Sequence, residues 1–523
     1  MPDSLTLQPQ TDRQYWSFAE GPWQEDDQGV ITAPENISEG NFAIYTHQAY
    51  GDFEAQYEFR WDCVWTDAGF VFRGKDALHF YMVQFPCVGQ QYRAENFWAA
   101  ISKVDGTSFA QLFELQMVHG ISSAPQVWHH ARIKVQGNAF HLWVDGRPFP
   151  VVIDDTFAEP GYVGLYTQSG LGPTAKSSFR NVSITGQPQA AASWDDGPKF
   201  GPTYSVIEAE HGHGCGNIVR AANGNLLLGV AGGICRSKDN GRTWGQAEKT
   251  LAEGTLHVAK NGQLSLFTIP YEPPFTIQRA ISDDHGQTWS KEQQVGEIKF
   301  GPERPYREYV PNKLLALKNG SLVWFAYVRT THEQTIFEGR RYRPGPIPNF
   351  LNICIHSDDD GLTWSDWINI DGPPYDNRHW MIYKDDVSEV SATETLNGDI
   401  VTLARPYNSP VMWESWSKDG GRTWTPQARG PFALFACTGA MVTTASGYLL
   451  IGGRFPAMSV QVSRDHGMSW QCYQVDNGIW ANGTMFEVEP DVVLFIYGSK
   501  DNPDELRCQR LRVTENNLIP LDS

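Results

Sequence analysis

Residues 53–61 read FEAQYEFRW, in which Phe53, Ala55, Tyr57, Phe59 and Trp61 alternate with polar partners. A period of two predicts a half-buried strand. Residues 131–144, ARIKVQGNAFHLWV, hold two more alternating runs joined at Gly137-Asn138, and a second turn follows at Asp145-Gly146. These are hairpin signals, and helical periodicity is hard to find anywhere. The front of the chain is therefore expected to be a β-sandwich over residues 1–188. The stretch GQPQAAASWDDGPKFGP is small, polar and rich in Pro and Gly, and predicts a linker centred on residues 189–200. A second domain is expected over 201–523.

In that second part an internal repeat outranks every other signal. SKDNGRTW (237–244), SDDHGQTW (282–289), SDDDGLTW (357–364), SKDGGRTW (417–424) and SRDHGMSW (463–470) all fit S-x-D-x-G-x-[TS]-W. The chemistry of each unit is that of a tight turn. Asp and Ser/Thr side chains hydrogen-bond backbone amides, Gly takes the left-handed conformation, and Trp plugs an apolar layer. Interleaved with the boxes are strand–turn–strand units: AANGNLLLGV, AKNGQLSLFT, LKNGSLVWFA, TLNGDIVTLA and TASGYLLIGG, with a sixth, VEPDVVLFIYG, that lacks a following box. One hairpin and one box per unit predict four-stranded blades, and six blades closed into a propeller remove exposed sheet edges.

Composition then narrows the function classes. The chain has 523 residues with 60 acidic and 41 basic side chains, a formal charge of −19. That balance argues against nucleic acid, whose phosphates need clustered Lys and Arg. No window approaches the roughly 18 uncharged apolar residues of a membrane span. Aromatics reach 13%, with 19 Trp, while charged residues stay at 19%; an all-β protein so rich in aromatic faces points to carbohydrate as its partner. The eight cysteines are widely spaced without a CxxC, so buried reduced thiols are expected, and no metal or cofactor. The N-terminus lacks a basic region followed by an apolar run, which predicts a cytoplasmic protein, or a secreted one whose leader has been trimmed. Oligomeric state is left open.

The boxes resemble the Asp-boxes, or BNR repeats, of the sialidase superfamily of six-bladed propellers, over about residues 200–515. The segments GDFEAQYEFRW, DAGFVFRG and GYVGLY…SFRNVSI resemble the concanavalin or laminin-G-like jelly-roll sandwiches that accompany carbohydrate enzymes. The fold class implied is all-β, a concanavalin-like sandwich followed by a six-bladed propeller. The boxes lie on outer hairpins and are structural; ligands of propellers bind where the innermost strands converge.

Register locates those positions. Arg405 lies seven residues after the turn glycine Gly398, and Arg454 seven after Gly447. Both interrupt apolar strands, and an unpaired buried arginine is costly, so each implies a partner. That partner is either a local carboxylate or a substrate carboxylate or hydroxyl held by the guanidinium fork. Glu389, sixteen residues before Arg405, is similar in spacing to the glutamate that precedes a carboxylate-binding arginine in sialidases. Arg454 matches that family's last triad arginine. Three family features are absent: HGHGCGNIV (211–219) has no first triad arginine, GIWANGTMFEVEP has no tyrosine nucleophile, and LGVAGGICRSKD is too short to supply the catalytic aspartate.

Glu308, in RPYREYVPNK, is the candidate second carboxylate, one blade before Glu389. Two carboxylates on adjacent inner strands could serve as nucleophile or base and as proton donor; exo-arabinanases of the same superfold use two glutamates on the propeller face. Glu308 is otherwise a salt-bridged strand end. Arg307 and Tyr309 are candidate substrate contacts, with His213 and His257 on blades one and two, Asp386 at the pocket mouth and Trp480 as a stacking platform. The 330–349 insertion, with EGRRYRPGP, could meet anionic sugars or only solvate a loop. The expected activity is that of an exo-acting glycoside hydrolase working on a terminal acidic or unusual sugar. The alternatives are a carbohydrate-binding protein with a degenerate propeller and a polysaccharide lyase acting on a uronate.

Overall fold

The computed structural model describes residues 3–7, 13–18, 23–33, 41–62, 66–76, 79–87, 97–105, 108–118, 120–169, 177–190, 204–209, 217–250, 254–301, 306–329, 336–337, 340–341, 350–371, 387–406, 411–433, 436–453, 458–476, 483–498, 502 and 504–521. Two compact units are present: Met1–Lys199 with Thr335–Tyr342, and Phe200–Gln334 with Arg343–Ser523. Among the described residues the regular elements are strands, apart from one 3-10 turn at Arg13–Tyr15.

The first unit is a β-sandwich organised around one long strand, Asn41–Trp61. Its first part pairs with Gly161–Ser169, and its second part with His129–Gln136 and Ser177–Gln189, so a single strand serves both layers. The alternation FEAQYEFRW has the physical outcome that period two demands: Phe53, Ala55, Tyr57, Phe59 and Trp61 are all buried. They share one core with Phe70, Phe72, Phe85, Phe97 and Phe140. Phe59 stacks on Phe85 at 4.4 Å, and Phe72 meets Phe140 edge-on at 5.0 Å; such pairs add about 0.5–1.5 kcal/mol each beyond burial.

The second unit is a six-bladed propeller. Five four-stranded sheets follow in chain order, with innermost strands Ile218–Arg220, Thr255–Val258, Glu308–Ala316, Val387–Glu394 and Ala436–Thr443. The sixth begins with Gly483–Glu489, and its outer position is filled by Tyr204–Glu208, the first strand of the unit, paired with Glu505–Val513. The first and last parts of the unit thus meet in one blade and close the ring, which protects the sheet edges.

Each box serine ends the third strand of its blade. Its hydroxyl accepts from the box glycine N–H at 2.8 Å in all five copies and donates to the box aspartate at 2.7–2.9 Å. The left-handed turn needs its glycine: in box three Gly361 has φ 82°, and a Cβ there would lie 2.2 Å from the Phe267 ring. The tryptophans explain why the repeat exists. Trp289 packs between blades one and two, Trp364 between two and three, Trp424 between three and four, Trp470 between four and five, and Trp244 between six and one. The seam between blades five and six has no box tryptophan. It holds Tyr473 and Tyr497 instead, with the Tyr497 hydroxyl donating to Asp476 at 2.9 Å and Arg507 paired to that carboxylate at 3.2 Å. Cys235, Cys354, Cys472 and Cys508 are buried free thiols, and Cys87 is buried as well.

Candidate active site

Strand register defines two rims of the propeller. In blade three, Leu322 pairs with Ala316 and with the box serine Ser357, whereas Arg329, at the far end of the same strand, pairs with Glu308 and Phe350. In blade four, Ile400 pairs with Glu394 and Ser417 at the box end, and Arg405 pairs with Ser388 at the other. Glu308, Arg329, Glu389 and Arg405 therefore share the rim opposite the boxes.

Glu389 reaches its position through a backbone irregularity. Ser388 pairs with Arg405 and Val390 with Ala404, so Glu389 is an extra residue opposed by none. It has φ 49°, a left-handed conformation that costs a non-glycine residue about 1–3 kcal/mol. Bulges of this kind re-aim a side chain out of the ladder. Here the Glu389 carboxylate accepts from Arg405 Nη1 at 2.7 Å, with the two side chains 17% and 22% exposed. The ion pair is sheltered but open to the rim.

Glu308 is deeper, with 8% of its side chain exposed, and is ion-paired with Arg329. A third group joins them. Tyr271 comes from the loop after Leu264–Thr268 in blade two; its hydroxyl donates to Glu308 Oε2 at 2.9 Å and also meets Arg329 Nη2. The Tyr271 side chain is 44% exposed, and the Arg329 guanidinium lies 5.6 Å from its ring centroid. The Tyr309 N–H donating to the Tyr271 carbonyl at 2.9 Å fixes the loop to blade three. The result is two carboxylates, two guanidinium groups and one phenol on the corresponding rims of three consecutive blades. Such a set can bind hydroxyls or a carboxylate, pass a proton and present a nucleophilic oxygen.

The other sequence candidates are dispersed. Tyr309 alternates to the opposite side of the strand from Glu308, and its ring is 1% exposed among Phe275 and its neighbours, where burial pushes its hydroxyl pKa well up. The Arg307 side chain is exposed, and its main-chain N–H donates to the Arg329 carbonyl. His257 is 6% exposed near the box end of blade two, its Nε2 3.4 Å from Asp360 of box three. Burial lowers its pKa, against the opposing pull of Asp360. Arg454, His213, Trp480 and Asp386 lie outside the described residues. In the 330–349 insertion, Ile336–Phe337 pairs with Arg340–Arg341 as a short hairpin.

Sequence reasoning missed Arg329 and Tyr271. Arg329 had a signal, since it ends the apolar run SLVWFAYVR, nine residues after Gly320 and thus two beyond the spacing of Arg405. The difference of two keeps the same strand face. Tyr271 sits in a loop, where no period operates.

Comparison with known proteins matches the two units separately. Residues 7–185 match the model of the 3-keto-alpha-glucoside-1,2-lyase-like domain, and residues 241–471 that of the BNR repeat-like domain. The chain thus carries a BNR repeat domain within a six-bladed propeller and, before it, a concanavalin-like domain of the first type. No curated protein matches. Among solved structures, the NanB sialidase from Streptococcus pneumoniae, in complex with a chlorobenzyl-ammonio ethanesulfonate, is 11% identical over 92% of this chain and 99% of its own, with a TM-score of 0.41. The Penicillium chrysogenum alpha-L-arabinanase complexed with arabinobiose is 16% identical over 59% of this chain and 95% of its own, at 0.41. A carbohydrate binding module, CBM66 from Bacillus subtilis, is 16% identical over 33% of this chain and 95% of its own, at 0.26.

Proposed function

We propose that this protein is a glycoside hydrolase that seats a terminal sugar, acidic or otherwise polar, on the propeller rim formed by blades two to four. The observation that carries the reading is the juxtaposition of Glu389 with Arg405 and of Glu308 with Arg329 and Tyr271 on one rim. A glycosidic bond is cleaved by two carboxyl groups, one donating a proton to the departing oxygen and one attacking the anomeric carbon or activating water. Glu308, the deeper of the two, is assigned the proton-donor role, which it takes by gaining a proton from solvent once Arg329 turns from it to the sugar and burial favours its neutral form. Glu389, raised out of its ladder by the bulge, is assigned the nucleophile or base role. When substrate enters, Arg405 and Arg329 exchange part of their carboxylate contacts for sugar oxygens, which neutralises charge and orients the ring. Arg454, Asp386, Trp480 and His213 remain candidates for further substrate contacts.

One observation favours a second reading, a lyase. The Tyr271 hydroxyl lies between a carboxylate and a guanidinium, an arrangement suited to moving a proton beside a neutralised uronate. The experiment that separates the two incubates wild type, Glu389→Gln and Tyr271→Phe with sialylated, uronate-capped and neutral oligosaccharides. Hydrolysis is expected, seen as a mass gain of one water across the products and lost in Glu389→Gln. Products that absorb in the ultraviolet without taking up water would establish the lyase, and binding without cleavage would leave a carbohydrate-binding propeller.

A further inference from the structure

The innermost strands of blades three and four each carry one bulge. In blade three, Pro311 pairs with Ala326 and Lys313 with Phe325, so Asn312 is the extra residue. In blade four the extra residue is Glu389. The two irregularities are joined: Asn312 Oδ1 accepts the Val390 N–H at 3.2 Å. Val390 is the residue directly after Glu389, where the chain must return from a left-handed φ of 49° to the ladder.

We infer that Asn312 is a positioning residue that holds the Glu389 bulge, and with it the Glu389 carboxylate, in place by capping the Val390 amide across the blade seam. A bulge disrupts the local ladder, and an amide left without an acceptor in a half-buried strand costs about 1–3 kcal/mol. A strained φ at a non-glycine residue persists only where its surroundings over-determine it. The Asn312 carboxamide supplies that determination, and its orientation is fixed by chemistry, because the Val390 N–H can face only the oxygen. Its Nδ2 is buried with no hydrogen-bond partner among the described residues, so the acceptor contact is the polar bond the side chain makes there. The Asn312 bulge has a purpose on the same reasoning: it turns this side chain out of its own ladder toward blade four. The consequence for catalysis rests on the function proposed above; the consequence for the backbone does not.

The test is a crystal structure and amide exchange of full-length Asn312→Ala and Asn312→Asp, with kinetics on whichever glycoside the wild type cleaves. In Asn312→Ala, Glu389 is expected to leave its left-handed φ and lose the 2.7 Å contact to Arg405, with the Val390 amide exchanging at least ~10-fold faster. Asn312→Asp keeps the acceptor and restores all three. Turnover follows geometry: kcat falls about 10–100-fold in Asn312→Ala with KM within ~3-fold and a displaced pH profile, and returns in Asn312→Asp. Asn312→Ala with Glu389 and the Val390 exchange rate unchanged overturns the inference. If Asn312→Ala does not fold, Asn312→Asp decides alone, since a displaced Glu389 with the acceptor retained also overturns it. A wild type inactive on every glycoside removes the glycosidase reading and leaves the structure and exchange results to judge Asn312.

Discussion

Glu389 and Arg405 form a 2.7 Å ion pair although they are not register partners; the residue opposite Arg405 is Ser388. The pair exists because an extra residue in blade four turns the glutamate out of the ladder and toward the guanidinium. Side chains directly opposite on a regular strand pair would share one face without this freedom of direction. The same rim carries a second carboxylate–guanidinium pair, Glu308 with Arg329, built without a bulge, since Glu308 and Arg329 face each other directly. One pair is therefore set by regular pairing and the other by a local departure from it, which gives the two glutamates different burial and different approach to a ligand.

Tyr271 is the first test of this arrangement. Its hydroxyl contacts both Glu308 and Arg329, and Tyr271→Phe removes that oxygen while keeping the ring. Because Tyr271 is a hydrogen-bond partner of the proposed proton donor, its loss is expected to lower kcat about 10-fold with little change in thermal stability, whereas the lyase reading, in which it moves the proton, predicts a loss of about 10²–10⁴-fold. Steady-state kinetics and a melting curve on the same preparation check both halves.

His257 predicts how stability depends on pH. Burial holds its folded pKa below the ordinary value of 6.5. The unfolded chain then binds a proton that the folded chain refuses, so stability is full above pH 6.5 and falls as pH drops below it, down to the folded pKa. Buried His356 is shifted in the same direction and Asp67, pushed up to about 7 by burial, in the opposing one, so the His257 contribution is read as a difference: between about pH 8 and 5 the melting temperature of wild type should fall more, or rise less, than that of His257→Asn. An identical slope in both proteins would exclude a His257 contribution.

Box tryptophans are predicted to hold the seams. Trp364 meets Phe267 edge-on at 5.5 Å and lies 5.6 Å from Trp324. Trp364→Ala leaves a cavity between blades two and three and should cost about 3 kcal/mol. Chemical denaturation should show a lower midpoint in the propeller transition.

Much of the fold was legible because period two and the box repeat act locally. FEAQYEFRW fixes which side chains are buried whatever sheet it joins, and S-x-D-x-G-x-[TS]-W closes its own turn with its own side chains. The pairing of Glu389 with Arg405 was approached by counting from turn glycines, which works as long as strands stay in register. What counting does not reveal is the bulge itself: Pro311 marks an irregularity beside Asn312, but no turn or breaker residue in VSEVSATE marks Glu389. Tyr271 became part of the site for a similar reason, since a loop residue of blade two is brought to Glu308 of blade three across a seam; Arg329 is the register partner of Glu308 within its own blade.

Glu308 and Glu389 are the two groups on which the proposed reaction depends, and side-by-side turnover of wild type, Glu308→Gln and Glu389→Gln measures that dependence directly. On fluorogenic sialoside, glucuronide and arabinofuranoside, we predict that wild type cleaves at least one. Each isosteric variant should lose at least ~10³-fold in kcat while melting as a folded protein. Variants that turn over at the wild-type rate would contradict the account, as would a wild type that cleaves none of the three.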